Sequence, residues 1–348
     1  MSDDVPRFPD VFAEINSAHG IAASVVRSVF DAILAGQWTP VQIAGFAVAL
    51  RMRGETAPMI AAAVESLRAA MVPVEHHFEL LLDTCGTGGD GRGTLNLSTG
   101  AALIAAAAGV PVAKHGNRAV SSRAGSADVL EALGIPTDLA PEAASEILKE
   151  VNIAFLMAPV HHPAMRHGGI ARRELGIRTI FNCLGPLANP ARVTHQLLGA
   201  YEDALRPILA ETLGALGTKR AWVVHGTDGL DEVSPHVPTR VTELDGGTLR
   251  EIEISPEDFG MTPSPEGVTA GGDAAANARV IELVLSGERH PATDAFLLNA
   301  AAALVVALEL QPREAVERAR ETLASGAARK TLDRWRQHTA RLRPRSND

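Results

Sequence analysis

From Leu80 onward the sequence repeats one device: a short apolar run, a glycine-rich turn, and a stretch that reads as helix. A strand must satisfy its backbone groups against neighbours and cover its apolar faces, so strands separated by helices are the pattern of an α/β sheet. The apolar runs predict strands at about Glu79 to Asp83, Val110 to Ala113, Ile153 to Met157, Gln196 to Ala200 and Arg220 to His225. Beyond His236, TRVTELD and LREIEIS alternate apolar and polar residues on either side of Gly246-Gly247, which is a hairpin signal. The expected fold is therefore α/β, with a central mixed sheet flanked by helices; the C-terminal part returns to helix.

The N-terminal region reads differently. Thr39-Pro40 has the form of an N-cap followed by proline at N1, and VQIAGFAVALRM carries apolar residues on a helical period. Pro58 opens a second such segment and Pro73 closes the helical region. Between Pro163 and Gly176 a basic helical stretch interrupts the strand–helix alternation. The turn-rich RTIFNCLGPLANP that follows is expected to pack back on the N-terminal helices.

Composition narrows the function. With 348 residues, 46% of them hydrophobic, the chain can bury a large core in one large domain or two moderate ones. A net charge of −9 and 4% aromatic content argue against nucleic-acid binding, so a phosphate ligand would be met in a local pocket. Apolar runs such as Ala300 to Leu308 are too short and alanine-rich to span a bilayer, and MSDDVPRFPD lacks the basic start of a signal peptide. No membrane partner and a cytoplasmic location are expected. Cys85 and Cys183 have neither metal-site nor redox spacing, which points to reduced thiols.

Five stretches carry candidate chemistry. Asp83-Thr-Cys-Gly-Thr-Gly-Gly-Asp-Gly-Arg-Gly93 follows a predicted strand, and its glycines let a ligand approach main-chain N–H groups. It is neither a Walker loop nor a dinucleotide fingerprint, because the lysine and the spacing are missing. In Asn96-Leu-Ser-Thr-Gly100, Ser98 or Thr99 is expected to cap a helix whose N-terminus faces an anion. The third, KHGNRAVSSRAGSADVLEALG, begins with Lys114 after a strand, where its ammonium suits a phosphate. There His115 and Asn117 can hydrogen-bond a second ligand, and Ser126 or Asp128, the latter with Glu131, is expected to cap the next helix. In the fourth, Asp231 and Glu232 stand together on a turn, a hard-oxygen pair suited to Mg²⁺. The fifth runs from His161 to Glu174, and of the adjacent Arg172 and Arg173 at most one faces a site, to hold a carboxylate.

Taken together, GTGGD, NLST, KHGNRAVSS with GSADVLEALG, HPAM, RRELGIRTIFNCLGPLANP and GLDEVS closely resemble, in order and over nearly the whole chain, the anthranilate phosphoribosyltransferases of tryptophan biosynthesis. The resemblance implies a homodimer with a small helical domain, residues 1–76 joined by about 163–187, and a large α/β domain, residues 77–162 and 188–348. It implies that Gly86, Thr87, Gly88, Gly89, Asp90, Thr94, Asn96, Ser98, Thr99, Lys114 and Ser126 bind phosphoribosyl pyrophosphate. Ser98, Asp231 and Glu232 would hold Mg²⁺. Gly86, His115, Asn117, His162 and Arg172 would lie along the anthranilate path, with Lys114 and Arg172 the catalytic candidates. One departure stands out: where relatives carry a VAPVR-like run, this chain has Gly168-Gly-Ile-Ala-Arg172, and the paired glycines are expected to loosen the hinge or reshape the anthranilate entrance.

Competing readings are a pyrimidine nucleoside phosphorylase, a paralogue with another acceptor, and a non-catalytic binding protein. The first requires a KHSTGG-type loop where KHGNR stands. The implied reaction is attack of anthranilate's amine on the anomeric carbon as pyrophosphate leaves, driven by positioning and charge stabilisation without a covalent intermediate.

Overall fold

The structure is a computed structural model and describes residues 5–88, 91–119 and 123–342. The chain begins with four helices, α1 Phe8–Ile15, α2 Ala23–Leu34, α3 Pro40–Arg53 and α4 Ala57–Ala70. Thr39 caps α3 as its sequence promised: its hydroxyl accepts from Gln42 N at 3.3 Å while Gln42 Oε1 accepts from Thr39 N at 2.9 Å. Helix α3 buries Ile43, Phe46, Ala47 and Leu50, yet its opposite face is also apolar.

The α/β region follows: β1 Leu82–Gly86, α5 Leu97–Ala107, β2 Val112–Gly116, α6 Ser126–Ala132, α7 Pro141–Val151 and β3 Ile153–Met157. Next come α8 Ala158–His161, α9 Arg166–Leu175, α10 Ile180–Leu187, β4 His195–Gly199, α11 Leu205–Ala215 and β5 Arg220–Gly226. The hairpin β6 Thr239–Asp245 and β7 Thr248–Ile254 turns on Gly246 and Gly247, both at positive φ, as two-residue hairpin turns require. Helices α12 Ala274–Leu285, α13 Thr293–Leu308, α14 Pro312–Ala324 and α15 Ala327–Leu342 close the chain.

The seven strands run β3-β2-β1-β4-β5-β6-β7, parallel through β5 and antiparallel thereafter, so the mixed sheet is borne out. Alternation along the strands sends Leu197, Trp222 and Val224 to a core shared with α5 and α13, and Leu198, Ala221 and Val223 to a core shared with the N-terminal helices. The anomalous segment packs as expected, with α9 on α2 and α3, and α10 on α3 and α4. No single helix among the described residues is long and apolar enough to cross a membrane; Ala300 to Leu308 is the second half of α13, buried as far as Ala307.

Three local expectations need correction. Strand β1 starts at Leu82 and runs into the glycine stretch, and β2 reaches Gly116, so Lys114 and His115 lie within a strand rather than after it. Pairing of Lys114 with Phe155 and of His115 with Leu156 on β3 extends the strand through them. Asn96, not Ser98 or Thr99, precedes α5, and its side chain bonds Ala124 O at 3.3 Å and Asn277 Nδ2 at 2.9 Å instead of capping. Gly125, not Ser126 or Asp128, precedes α6, because a Cβ there would lie 2.4 Å from Ala119 N. Asp128 is the third helical residue and accepts from Gly125 N at 2.9 Å, while Glu131 pairs with Arg118 and Thr137.

Candidate active site

Parallel strands leave their ligand crevice at their carboxyl ends, next to the strand where the order reverses. Here β1 and β4 end on facing glycines, Gly86 and Gly199, and the acidic turn after β5 folds against both. A Cβ on Gly86 would stand 2.7 Å from Asp231 Oδ2, and one on Gly199 would stand 1.7 Å from the Asp231 carbonyl oxygen. Only glycine admits the acid that close.

The acid pair ties three of the sequence-selected stretches together. Gly88 N donates to Asp231 Oδ2 at 3.2 Å, and Ser98 N, in the first turn of α5, donates to Glu232 Oε1 at 3.1 Å. The N–H groups that the sequence assigns to a phosphate thus meet the chain's own carboxylates. Asp231 and Glu232 bring two carboxylates to the backbone of Gly88 and Ser98, too few ligands to enclose a cation, and no cluster of three or more His, Cys, Asp or Glu side chains suited to a metal occurs among the described residues. This set fits Mg²⁺, which keeps water and substrate phosphate oxygens in its shell, better than it fits a cation that needs a full protein cage.

Lys114 is 1% exposed. Its ammonium donates to the Thr84 carbonyl and lies 3.3 Å from Ser98 Oγ, directly under the first turn of α5. The lysine is therefore part of the crevice floor rather than a solvated cation at a strand end. Thr99 Oγ1 beside it is buried without a partner. Thr87 Oγ1 accepts from Tyr201 N at 2.9 Å, and Thr94 forms a bridge with Ala270, so both ends of the glycine loop are anchored. Gly89 and Asp90 lie outside the described residues.

Next to Lys114, the His115 ring turns the other way. Its Nδ1 lies 2.9 Å from the Gly185 carbonyl, which can only accept, so Nδ1 carries the proton and Nε2 is a buried lone pair without a protein partner. The His162 ring stands 5.2 Å away, centroid to centroid, and neither of its nitrogens makes a hydrogen bond of good geometry. Burial first, then neighbouring histidines, hold His115 well below its ordinary value and lower His162 to about 4. Both rings are neutral at physiological pH. His161 is structural by contrast, with Nδ1 2.9 Å from Val72 O, two residues beyond α4.

The remaining candidates are less tightly joined. Asn117 is exposed; its Oδ1 accepts from Arg118 N at 2.8 Å, and its carbonyl accepts from Ala127 N at 3.2 Å and from Ser126 Oγ at 3.4 Å. Arg172 is exposed on the last turn of α9, its guanidinium 5.9 Å from the Phe181 ring centroid, and no direct contact joins it to the histidine pair.

Sequence reasoning passed over the residues beneath the floor. Asp83 is fully buried: Oδ1 accepts from His115 N at 3.2 Å and Oδ2 from Asn189 Nδ2 at 2.8 Å. Burial pushes its carboxyl up to about 6 against the pull of Lys114 and these hydrogen bonds. Gln196 reaches Pro186 O at 2.8 Å and Cys85 Sγ at 3.1 Å. A charged residue inside an apolar run was the available signal.

Known proteins match this chain along most of its length. Residues 79–329 match the glycosyl transferase family a/b domain and residues 21–71 the glycosyl transferase family helical bundle domain. The chain is 50% identical to the anthranilate phosphoribosyltransferase of Symbiobacterium thermophilum, over 96% of this chain and 98% of that one. It superposes on the Thermus thermophilus anthranilate phosphoribosyltransferase with a TM-score of 0.89 and 42% identity, covering 96% and 99% of the two chains. Against the Saccharomyces cerevisiae anthranilate phosphoribosyltransferase in complex with PRPP and Mg, the TM-score is 0.88, the identity 28%, and the coverage 96% and 98%.

Proposed function

The chain belongs to the anthranilate phosphoribosyltransferase family, and from that premise we infer that it transfers the phosphoribosyl group of phosphoribosyl pyrophosphate to the amine of anthranilate, releasing pyrophosphate, in tryptophan biosynthesis. The observation that carries the reading to this site is the junction at Lys114-His115: consecutive strand residues present an ammonium to the phosphate-type loops and a neutral ring nitrogen to the opposite side. A two-substrate transfer needs that division.

The residues act by holding and by charge. Glycine-loop and α5 N–H groups, with Lys114, would meet the departing pyrophosphate once Asp231 and Glu232 release Gly88 N and Ser98 N. Those two carboxylates with Ser98 would hold Mg²⁺, which supplies countercharge to pyrophosphate when bound. The neutral His115 and His162 would accept from the anthranilate amine or orient its ring without adding a positive charge beside a cationic ribosyl centre. Asn117 and Arg172 would belong to the entrance of this side, Arg172 as the carboxylate partner once the lobes close; Gly168 is buried, and a Cβ there would lie 3.3 Å from the Phe181 ring, so the glycine lets α9 approach α10 closely. The amine already has its lone pair, so no strong base is required.

We assign residues 1–76 and about 163–187 to a helical lobe and residues 77–162 and 188–348 to the α/β lobe, supported by the core that α9 and α10 share with α2, α3 and α4. A homodimer through the helical lobe accounts for the second apolar face of α3. Val41 and Met52, 81% and 83% exposed, lie eleven residues apart and so on one side of the helix, with the half-buried Val48 between them. Phe12 of α1 and Ile170 of α9 are half-exposed on the flanking helices. Two buried free thiols suit a cytoplasmic setting, and the charge of −9 argues against a nucleic-acid partner. Loss of anthranilate fluorescence on mixing with phosphoribosyl pyrophosphate and Mg²⁺ tests the assignment. An unchanged signal at micromolar enzyme would remove it.

A further inference from the structure

The sheet is split directly beneath the active site. Strand β1 pairs with β4 along its whole length, from Leu82 to Gly86, but with β2 only at Leu82. Beyond that pair the two parallel strands part, and backbone groups that a ladder would satisfy turn to side chains. His115 N donates to Asp83 Oδ1 at 3.2 Å, the Ala113 carbonyl accepts from Asn189 Nδ2 at 2.8 Å, and the Thr84 carbonyl accepts from the Lys114 ammonium. Asn189 also binds Asp83 Oδ2 at 2.8 Å and, through Oδ1, takes Ala191 N at 2.9 Å. Asp83, Asn189 and Lys114 are 0%, 1% and 1% exposed, so these bonds are shielded from bulk solvent.

We propose that Asp83, braced by Asn189, is the positioning residue for the acceptor side of the reaction: it substitutes for the missing β1–β2 ladder and fixes the His115 backbone, and hence the ring facing His162. This rests on the anthranilate phosphoribosyltransferase reading, since it assigns a task within that reaction. His115 is the first residue of β2 whose side chain serves the acceptor side, and its N–H is held by no β1 carbonyl. Its ring is held from the opposite direction by Gly185 O, on α10 of the helical lobe. Asn189 lies four residues after Gly185 on the same returning segment, so Asp83 grips both the strand and the segment between which the ring is clamped. A buried carboxylate is costly, and a neutral residue would fill this space at less cost. Its retention beside Lys114 follows if the two bonds it accepts set the geometry.

The charge gives the proposal its direction. Asp83→Asn removes a negative charge near Lys114, which leaves the phosphate side at least as attractive to phosphoribosyl pyrophosphate. It also replaces one acceptor with an N–H₂ that cannot take a hydrogen bond from His115 N or Asn189 Nδ2, so the clamp loosens. Steady-state kinetics of the full-length enzyme with each substrate varied should show kcat/KM for anthranilate falling at least about 30-fold, with the KM for phosphoribosyl pyrophosphate unchanged within about 3-fold or lowered. Asn189→Ala should show the same split more weakly, and it decides the matter if Asp83→Asn fails to fold. A scaffolding role would move both substrates together with a lower melting temperature; that result, or no change for anthranilate, overturns the proposal. Wild-type enzyme assayed alongside separates the two levels. Without wild-type turnover the reaction assignment fails and takes the proposal with it, whereas wild-type turnover without the split overturns the positioning role alone.

Discussion

Replacing Lys114 with methionine keeps most of the apolar stem and deletes the charge, which makes it a sharp probe of the crevice floor. The ammonium donates to Thr84 O and sits 3.3 Å from Ser98 Oγ, below the N–H groups of the α5 first turn, in a buried place. At about 4 Å from a phosphate oxygen, a unit charge with an effective dielectric near 20 is worth roughly 4 kcal/mol, and measured charge-assisted hydrogen bonds contribute about 1.5–3 kcal/mol. The lower range translates to a rise of about 10- to 150-fold in the KM for phosphoribosyl pyrophosphate. Loss of the cation also leaves Asp83 without the opposite charge that favours its ionised form, so the folded state should be less stable above pH 7. The KM for phosphoribosyl pyrophosphate should rise by more than that for anthranilate, because His115 and His162 take no bond from the ammonium. Initial rates from anthranilate fluorescence, with each substrate varied, give both constants, and a thermal melt gives the stability. A KM for phosphoribosyl pyrophosphate within 3-fold of wild type in a folded variant would refute the placement of Lys114 under the phosphates.

The KM for anthranilate should not rise as pH climbs from 6 to 8.5, since His162, lowered to about 4, and His115 stay neutral there; a rise in KM as pH climbs through 6.5 would mean that a histidine cation holds the carboxylate. On stability, the lowered His162 withdraws about 3 kcal/mol as pH falls from 6.5 toward 4, and the raised Asp83 returns about as much as pH falls through 6 toward 3.8. Depressed His115 and His161 tip that balance toward acid loss, so the melting temperature should drop between pH 7.5 and 5, and a rise would contradict it. Asp231→Asn with Glu232→Gln should raise the Mg²⁺ needed for half-maximal rate at least about 10-fold while leaving the melt within a few degrees; an unchanged Mg²⁺ titration would exclude the pair as ligands. Val48→Glu places a charge in the middle of the outer apolar face of α3 and should convert the dimer to a monomer in analytical ultracentrifugation, whereas an unshifted sedimentation coefficient would locate the interface elsewhere.

The sequence made the loops legible and left their undersides dark. Glycines at positive φ, such as Gly88, Gly91 and Gly93, and the hairpin glycines report a local backbone need, and local needs are written in consecutive residues. The same holds for the Thr39 cap. Lys114 reads as a strand-end cation because the apolar run stops at Ala113; that β2 continues is decided by pairing with β3, a contact some forty residues away. Asp83, Asn189 and Gln196 answer to the split between β1 and β2, which is a property of the assembled sheet, and no spacing in the chain announces it. Capping failed in an instructive way: Asn96 and Gly125 took positions where serine or aspartate was expected because one side chain was needed between helices and the other had no room.

The central claim is a direct transfer governed by two faces of one floor, the Lys114 side for pyrophosphate and the His115 side for the amine. Rapid-quench measurement of pyrophosphate release tests it most directly. With phosphoribosyl pyrophosphate and Mg²⁺ alone, the enzyme should release no burst of pyrophosphate; with anthranilate added, one pyrophosphate should appear for each amine consumed. A stoichiometric burst in the absence of anthranilate would reveal a ribosyl–enzyme intermediate and contradict the account.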